Sequence, residues 1–150
     1  MASVLRQLPG SIATFADNTD MDSLAAGAGA YLDETGFDNS QEAALWPYAI
    51  FELLVDFAVA PIAGRVLNLY LLPKLDGTNY PDAHITAVQS LPAVEFVVAS
   101  TTDTQRLCSG PVALPPCEFR GYLVNDADQA LSTATMHVKI KPYTTQITAS

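Results

Sequence analysis

Ten prolines are scattered through the 150 residues, several of them at the borders of short apolar runs. A proline ring removes a backbone donor, so it breaks a helix interior and is barred from the middle of a sheet. Long helices are disfavoured, and short strands between turns remain. The run Phe51-Glu52-Leu53-Leu54-Val55-Asp56-Phe57 places apolar residues at every odd position and Glu52 and Asp56 on the other face, the period of a half-buried strand. Residues 66–72 are apolar on nearly both faces and suit a central strand. Residues 94–98, 118–124 and 135–141 read as further strands, the last with Met136, Val138 and Ile140 alternating with Thr, His and Lys. Shorter strands are expected at 85–89 and 104–107.

Turn chemistry separates these runs: Pro61-Ile62-Ala63-Gly64, Asp76-Gly77-Thr78-Asn79, Ser109-Gly110-Pro111, Pro115-Pro116 and Asn125-Asp126-Ala127-Asp128. Such spacing is typical of antiparallel sandwiches and barrels. The sequence therefore predicts an all-β chain folded as an antiparallel β-sandwich, with jelly-roll connections as one route between its sheets. An apolar share of 49% against 15% charged residues fits a globular domain rather than a solvating coil.

Seven bases against sixteen acids leave a net charge of −9, which argues against nucleic acid as a partner. The start lacks a basic segment followed by a continuous apolar stretch, and Glu52, Asp56 and Pro61 interrupt the richest apolar region, 49–63. Neither a secretory leader nor a membrane span is expected. The charge is uneven: residues 1–64 hold one base and nine acids, whereas residues 65–150 are nearly balanced, with six bases and seven acids. Residues 9–45 are rich in Gly, Ala, Ser, Asn and Asp and lack sustained periodicity, apart from a short helix expected over 22–32 and weakened by Gly27 and Gly29. This composition divides the chain into an extended acidic arm, 1–45, and a β-sandwich body, 46–150. Leu5, Leu8, Ile12, Phe15, Tyr31 and Phe37 are the arm's candidate partner-binding residues, since a solvated tail has no use for them.

Candidate chemistry is sparse. His84 and His137 stand apart from any Gly-x-Ser-x-Gly elbow or comparable nucleophile motif, so no catalytic residue is assigned. Asp17, Asp20 and Asp22 crowd one turn, as hard cations prefer, but a calcium loop counted from Asp17 would need Gly at Asp22 and Glu at Ala28. A solvated acidic turn, or a helix start with Asp22 as N-cap, explains them better. Cys108 and Cys117 are too few for a disulfide framework and form no zinc quartet; free thiols are expected, and no metal or cofactor. Trp46, Tyr48, Tyr70, Tyr80, Tyr122 and Tyr143 are either packing residues or, on an exposed sheet face, rings for stacking on sugars.

Residues 46–82, above all Ala60-Pro61-Ile62-Ala63-Gly64-Arg65-Val66-Leu67-Asn68-Leu69-Tyr70-Leu71-Leu72-Pro73-Lys74-Leu75-Asp76-Gly77-Thr78-Asn79-Tyr80-Pro81-Asp82, resemble a family of small structural proteins encoded by tailed bacteriophages. Gln105-Arg106, Pro115-Pro116 with Phe119, Val124-Asn125 and Val138-Lys139-Ile140-Lys141-Pro142-Tyr143 extend the resemblance to about two-thirds of the chain, leaving out the acidic front and the cysteines. It implies a non-enzymatic virion component made in the bacterial cytoplasm: a capsid cement or decoration protein on the capsid exterior. Its partner would be the major capsid protein or another virion protein, and its own state a homo-oligomer, with a trimer favoured. A tail, neck or connector protein fits the same resemblance, and a glycan-binding module is the rival from composition.

Overall fold

The computed structural model describes residues 3–40, 45–81 and 91–149. Its strands are β1 (Ser3–Pro9), β2 (Ala13–Ala16), β3 (Gly29–Phe37), β4 (Tyr48–Val55), β5 (Val66–Pro73), β6 (Val94–Val97), β7 (Gln105–Cys108), β8 (Val112–Ala113), β9 (Phe119–Asn125) and β10 (His137–Ala149), with one short helix, α1 (Asn18–Met21). Every strand pairing is antiparallel. In sheet A, β10 pairs with β4 on one side and with β1 and β2 on the other, while β7 and β8 line the far edge of β4. Sheet B runs β3-β9-β5-β6. The chain is an all-β, sandwich-like fold, and no helix among the described residues is long and apolar enough to cross a membrane.

Period-two patterning sets the layers. In β4, Ala49, Phe51, Leu53 and Val55 point inward and are fully buried, while Tyr48, Ile50, Glu52 and Leu54 take the other face. Met136, Val138 and Ile140 are buried as their alternation predicts. They meet Leu67, Leu69, Phe96, Phe119 and Leu123 of sheet B in one continuous core. β5 lies between β9 and β6, the central place its two-sided apolar character requires. The Asp76-Gly77 turn also forms as expected: Gly77 takes φ 72°, which costs a residue without Cβ nothing. Asp76 accepts the amides of Thr78 and Asn79 at 2.8 and 2.6 Å, bonds that hold its carboxyl down at about 2.

The extended arm over 1–45 is corrected. Residues 3–9 and 13–16 are strands of sheet A, and residues 29–37 form an edge strand of sheet B. Because the chain crosses between the sheets repeatedly, both proposed parts contribute to one core. Phe15, Met21 and Leu32 are almost wholly buried within it. The helix expected over 22–32 is also corrected: the residues around Gly27 and Gly29 turn instead into β3, and the only helix among the described residues is α1. Asp17 caps it by accepting the Thr19 amide at 2.9 Å, and Asp20 reaches back to the Asp17 amide at 3.3 Å. Asp22 sits at the helix's C-terminal end rather than its start. The strand expected at 85–89 lies outside the described residues.

Two contacts explain why the front segment folds inward. The Phe15 ring packs between Phe51 and Phe119, with centroids 5.7 and 5.9 Å away, and it fits because β9 carries Gly121 opposite. A methyl on Gly121 would come within 2.5 Å of Phe15 Cε1. Asn125, fully buried, donates from Nδ2 to the carbonyls of Leu24 and Gln129, both at 2.9 Å, and accepts the Ala127 amide at 3.1 Å. One side chain thereby ties the front segment to the loop after β9. Phe15→Ala should lower unfolding free energy by about 3–5 kcal/mol, and Gly121→Ala by about 1–3 kcal/mol, both read by urea denaturation. A freely solvated front segment would leave both variants at the parental midpoint.

Candidate functional site

The two outer faces of the sandwich differ. On sheet B several outer residues contact one another: Tyr31 meets Tyr122 edge-on at 4.9 Å, and the Arg120 guanidinium sits over the rings of Tyr31 and Tyr80 at 3.8 and 4.5 Å, while Arg120 Nε and Asn68 Oδ1 are buried without a hydrogen-bond partner among the described residues. Glu118 accepts both from the Tyr80 hydroxyl and from Lys74 Nζ; these bonds, Tyr80's first, hold its carboxyl below the usual range. Tyr122 is nearly buried, and that burial pushes its hydroxyl up.

Sheet A leaves its outer face open. The antiparallel register sets Lys139 beside Glu52, Lys141 beside Ile50 and Tyr143 beside Tyr48, while β7 brings Cys108 beside Glu52 and Arg106 beside Leu54. Glu52 accepts from Arg106 and from His137 Nε2, the latter at 3.1 Å. The His137 hydrogen bond first, then the nearby positive charges, hold the Glu52 carboxyl below the ordinary glutamate range. Arg106 and Lys139 thus flank this one acid, and Lys141 lines the same groove. Two adjoining grooves of about 280 and 360 Å³ cross this face and share Ile50 and Lys141. Ile12 overhangs the first groove, and Tyr143 and Pro111 line the second. Tyr48 and Tyr143 stack with centroids 5.7 Å apart. Ile12, Tyr48 and Ile50 are 61%, 40% and 39% exposed, where a solvated sheet face would carry polar side chains.

The six candidate partner-binding residues do not gather in one place. Leu8 and Ile12 are exposed beside sheet A, and Leu5 pairs through its backbone with Ile147 in β1. Phe15 is a core residue and is withdrawn as a partner contact. Tyr31 and Phe37 are half-buried, the first against Tyr122 and Arg120, the second 5.3 Å from Phe119; both already serve this chain's own packing. His137 joins Glu52, and His84 lies outside the described residues. Among the described residues no cluster of His, Cys, Asp or Glu could hold a metal ion. Both cysteines are free, Cys108 exposed and Cys117 half-buried. Of the rings weighed for sugar stacking, Trp46 packs on the core, exchanging backbone hydrogen bonds with the buried Asn39 side chain at 2.9 Å. Tyr80 is engaged with Glu118, which leaves Tyr48 and Tyr143 as the pair on an open face.

Sequence reasoning missed Ile50, Lys139 and Lys141 as neighbours. Each is an ordinary outward position in its own strand; only the β4–β10 register makes them one surface. Comparison with family models, curated proteins and solved structures finds no match to this chain.

The Glu52 cluster sets a pH dependence. Its carboxyl titrates lower in the folded chain than the ordinary 4.5, so its contribution is complete above that value and lost as pH falls through the lowered one. Glu52→Gln should therefore destabilise by about 1 kcal/mol or less near neutrality. The difference from the parent should shrink progressively as pH falls below the ordinary glutamate value, as thermal unfolding followed across an acid pH series would reveal.

Proposed function

We propose that this chain is a bacteriophage virion structural protein, a capsid cement or decoration protein that bridges major capsid subunits through the outer face of sheet A. The observation that carries the reading is the exposure of Tyr48, Ile50 and Ile12 among three cations on that face. Contiguous exposed apolar residues rimmed by charge favour a protein partner, and the resemblance of residues 46–82 supplies the virion context. The mode of action is thermodynamic: a protein that binds only the assembled shell stabilises it by mass action, and many weak bridges add through multivalency. A homo-oligomer, with a trimer favoured, multiplies the bridges per copy. A tail, neck or connector position would use the same face against a different partner.

A glycan-binding module is favoured by one observation, the stacked Tyr48–Tyr143 pair beside an open groove. The two readings separate by experiment. Tyr48→Ser/Ile50→Asp should reduce co-sedimentation with capsids of the encoding phage by about tenfold or more, with the unfolding midpoint within a few degrees of the parent. Parental co-sedimentation by this variant would end the cement reading. Saturable binding of soluble glycans that Tyr143→Ala abolishes would establish the second reading in its place.

A further inference from the structure

The outward side chains of β4 and β10 stand in rows across sheet A, because the register sets Tyr143 beside Tyr48, Lys141 beside Ile50 and Lys139 beside Glu52. Side chains on one face of a strand recur at every second residue, so successive rows lie about 7 Å apart. The face is graded along that axis. Its first row is aromatic, with Pro9 and Pro111 lining the groove next to Tyr143. The second joins a cation to an exposed isoleucine, and the third is charged.

In the third row Arg106 and His137 both reach Glu52, so that acid is answered within the chain. The lysines are not. Neither Lys139 nor Lys141 forms an ion pair with an acid among the described residues, and Lys141 has Ile50, not a carboxylate, beside it. Three bases, Arg106, Lys139 and Lys141, against Glu52 alone leave the first groove at +2, in a chain whose net charge is −9. The screening length at physiological ionic strength is about 8 Å, close to the spacing of the rows. A ligand in the groove therefore meets the lysines before it meets the charge of the rest of the chain.

We infer that the groove takes an extended acidic segment of a partner protein, with an apolar side chain over the Tyr48–Tyr143 pair and a carboxylate two residues further on, between Lys141 and Lys139. The inference rests on the reading above that this face docks to protein, and it names the chemistry of the segment that docks. An extended chain laid along the strands has the same two-residue repeat as the rows, so its alternate side chains reach down in step with them. Glu52 fixes the direction. It repels an acid from the third row, which leaves the carboxylate at Lys141 and the apolar residue at the tyrosine end. Nucleic acid fits poorly here, since it carries a charge with every step of its backbone and would meet the acidic remainder of the chain.

Fluorescence polarisation of the full chain with labelled pentapeptides tests this. Ser-Leu-Ser-Glu-Ser and Ser-Phe-Ser-Asp-Ser should bind with a Kd below about 1 mM, and Ser-Leu-Ser-Lys-Ser and Ser-Phe-Ser-Lys-Ser about tenfold or more weakly. Binding of the acidic pair should fall as salt rises from about 0.05 to about 0.5 M. Lys141→Glu, at an exposed position, should weaken the acidic peptides about tenfold or more and favour the lysine peptides instead, with the parental unfolding midpoint retained. Failure of both acidic peptides to bind below about 1 mM, equal binding of the lysine peptides, or indifference to Lys141→Glu overturns the inference. So does self-association in sedimentation velocity that Lys141→Glu abolishes, because a second copy would then hold the groove. Capsid co-sedimentation separates the two readings: a chain that binds capsids but no acidic peptide sinks this inference alone, and one that binds acidic peptides but no capsid sinks the cement reading alone.

Discussion

The backbone ladder of β10 is the constraint on which sheet A depends. Its first half is paired on both sides, with β4 through residues 137–143 and with β2 through residues 138–140, and its second half is held by β1. Since side chains alternate along a strand, a slip of one residue would turn Val138 and Ile140 outward and bury Lys139 and Lys141. The apolar core therefore fixes the register. The register in turn places Lys139 beside Glu52 and Lys141 beside Ile50, so the exposed surface is a by-product of what the interior demands.

The two outer faces of the sandwich engage their side chains differently. On sheet B, tyrosine rings, the Arg120 guanidinium and the Glu118 carboxylate meet within the chain, and Leu72 beneath them is nearly buried. On sheet A the ion pairs of Glu52 occupy one region while isoleucine and tyrosine beside it stay in water. Ion pairs at a surface are worth little to stability, about 0–1 kcal/mol, so stability alone gives no reason for this cluster of cations. A partner does.

Much of the architecture was legible in residue order. The strands at 51–57, 66–72, 94–98, 104–107, 118–124 and 135–141 all have counterparts in the fold, because each carries a period-two or two-sided apolar signal between turn residues. The front segment was not legible, and the reason is specific. Phe15, Met21 and Leu32 are single large residues among small and polar ones, so no window around them shows a period; their burial depends on Gly121 and Asn125, about a hundred positions away. The candidate surface was illegible for the same cause. Tyr48 and Tyr143, like Glu52 and His137, become neighbours only through pairing between distant strands.

The place of β10 in the chain also governs the order in which structure can appear. Sheet B draws its strands from residues 29–125, so it has all its members before β10 has been synthesised. Sheet A does not, because β10 stands between β4 and the β1–β2 pair; until residues 137–149 emerge, β1 and β2 have no neighbour to bond. A nascent chain must therefore hold Phe15 and the inner face of β4 unfinished, next to a completed half. Closing Ser3 onto Ala149 spans nearly the whole chain and carries the largest loop-closure entropy of any pairing. During that interval the chain is most open to capture by chaperones or to pairing with another unfinished copy.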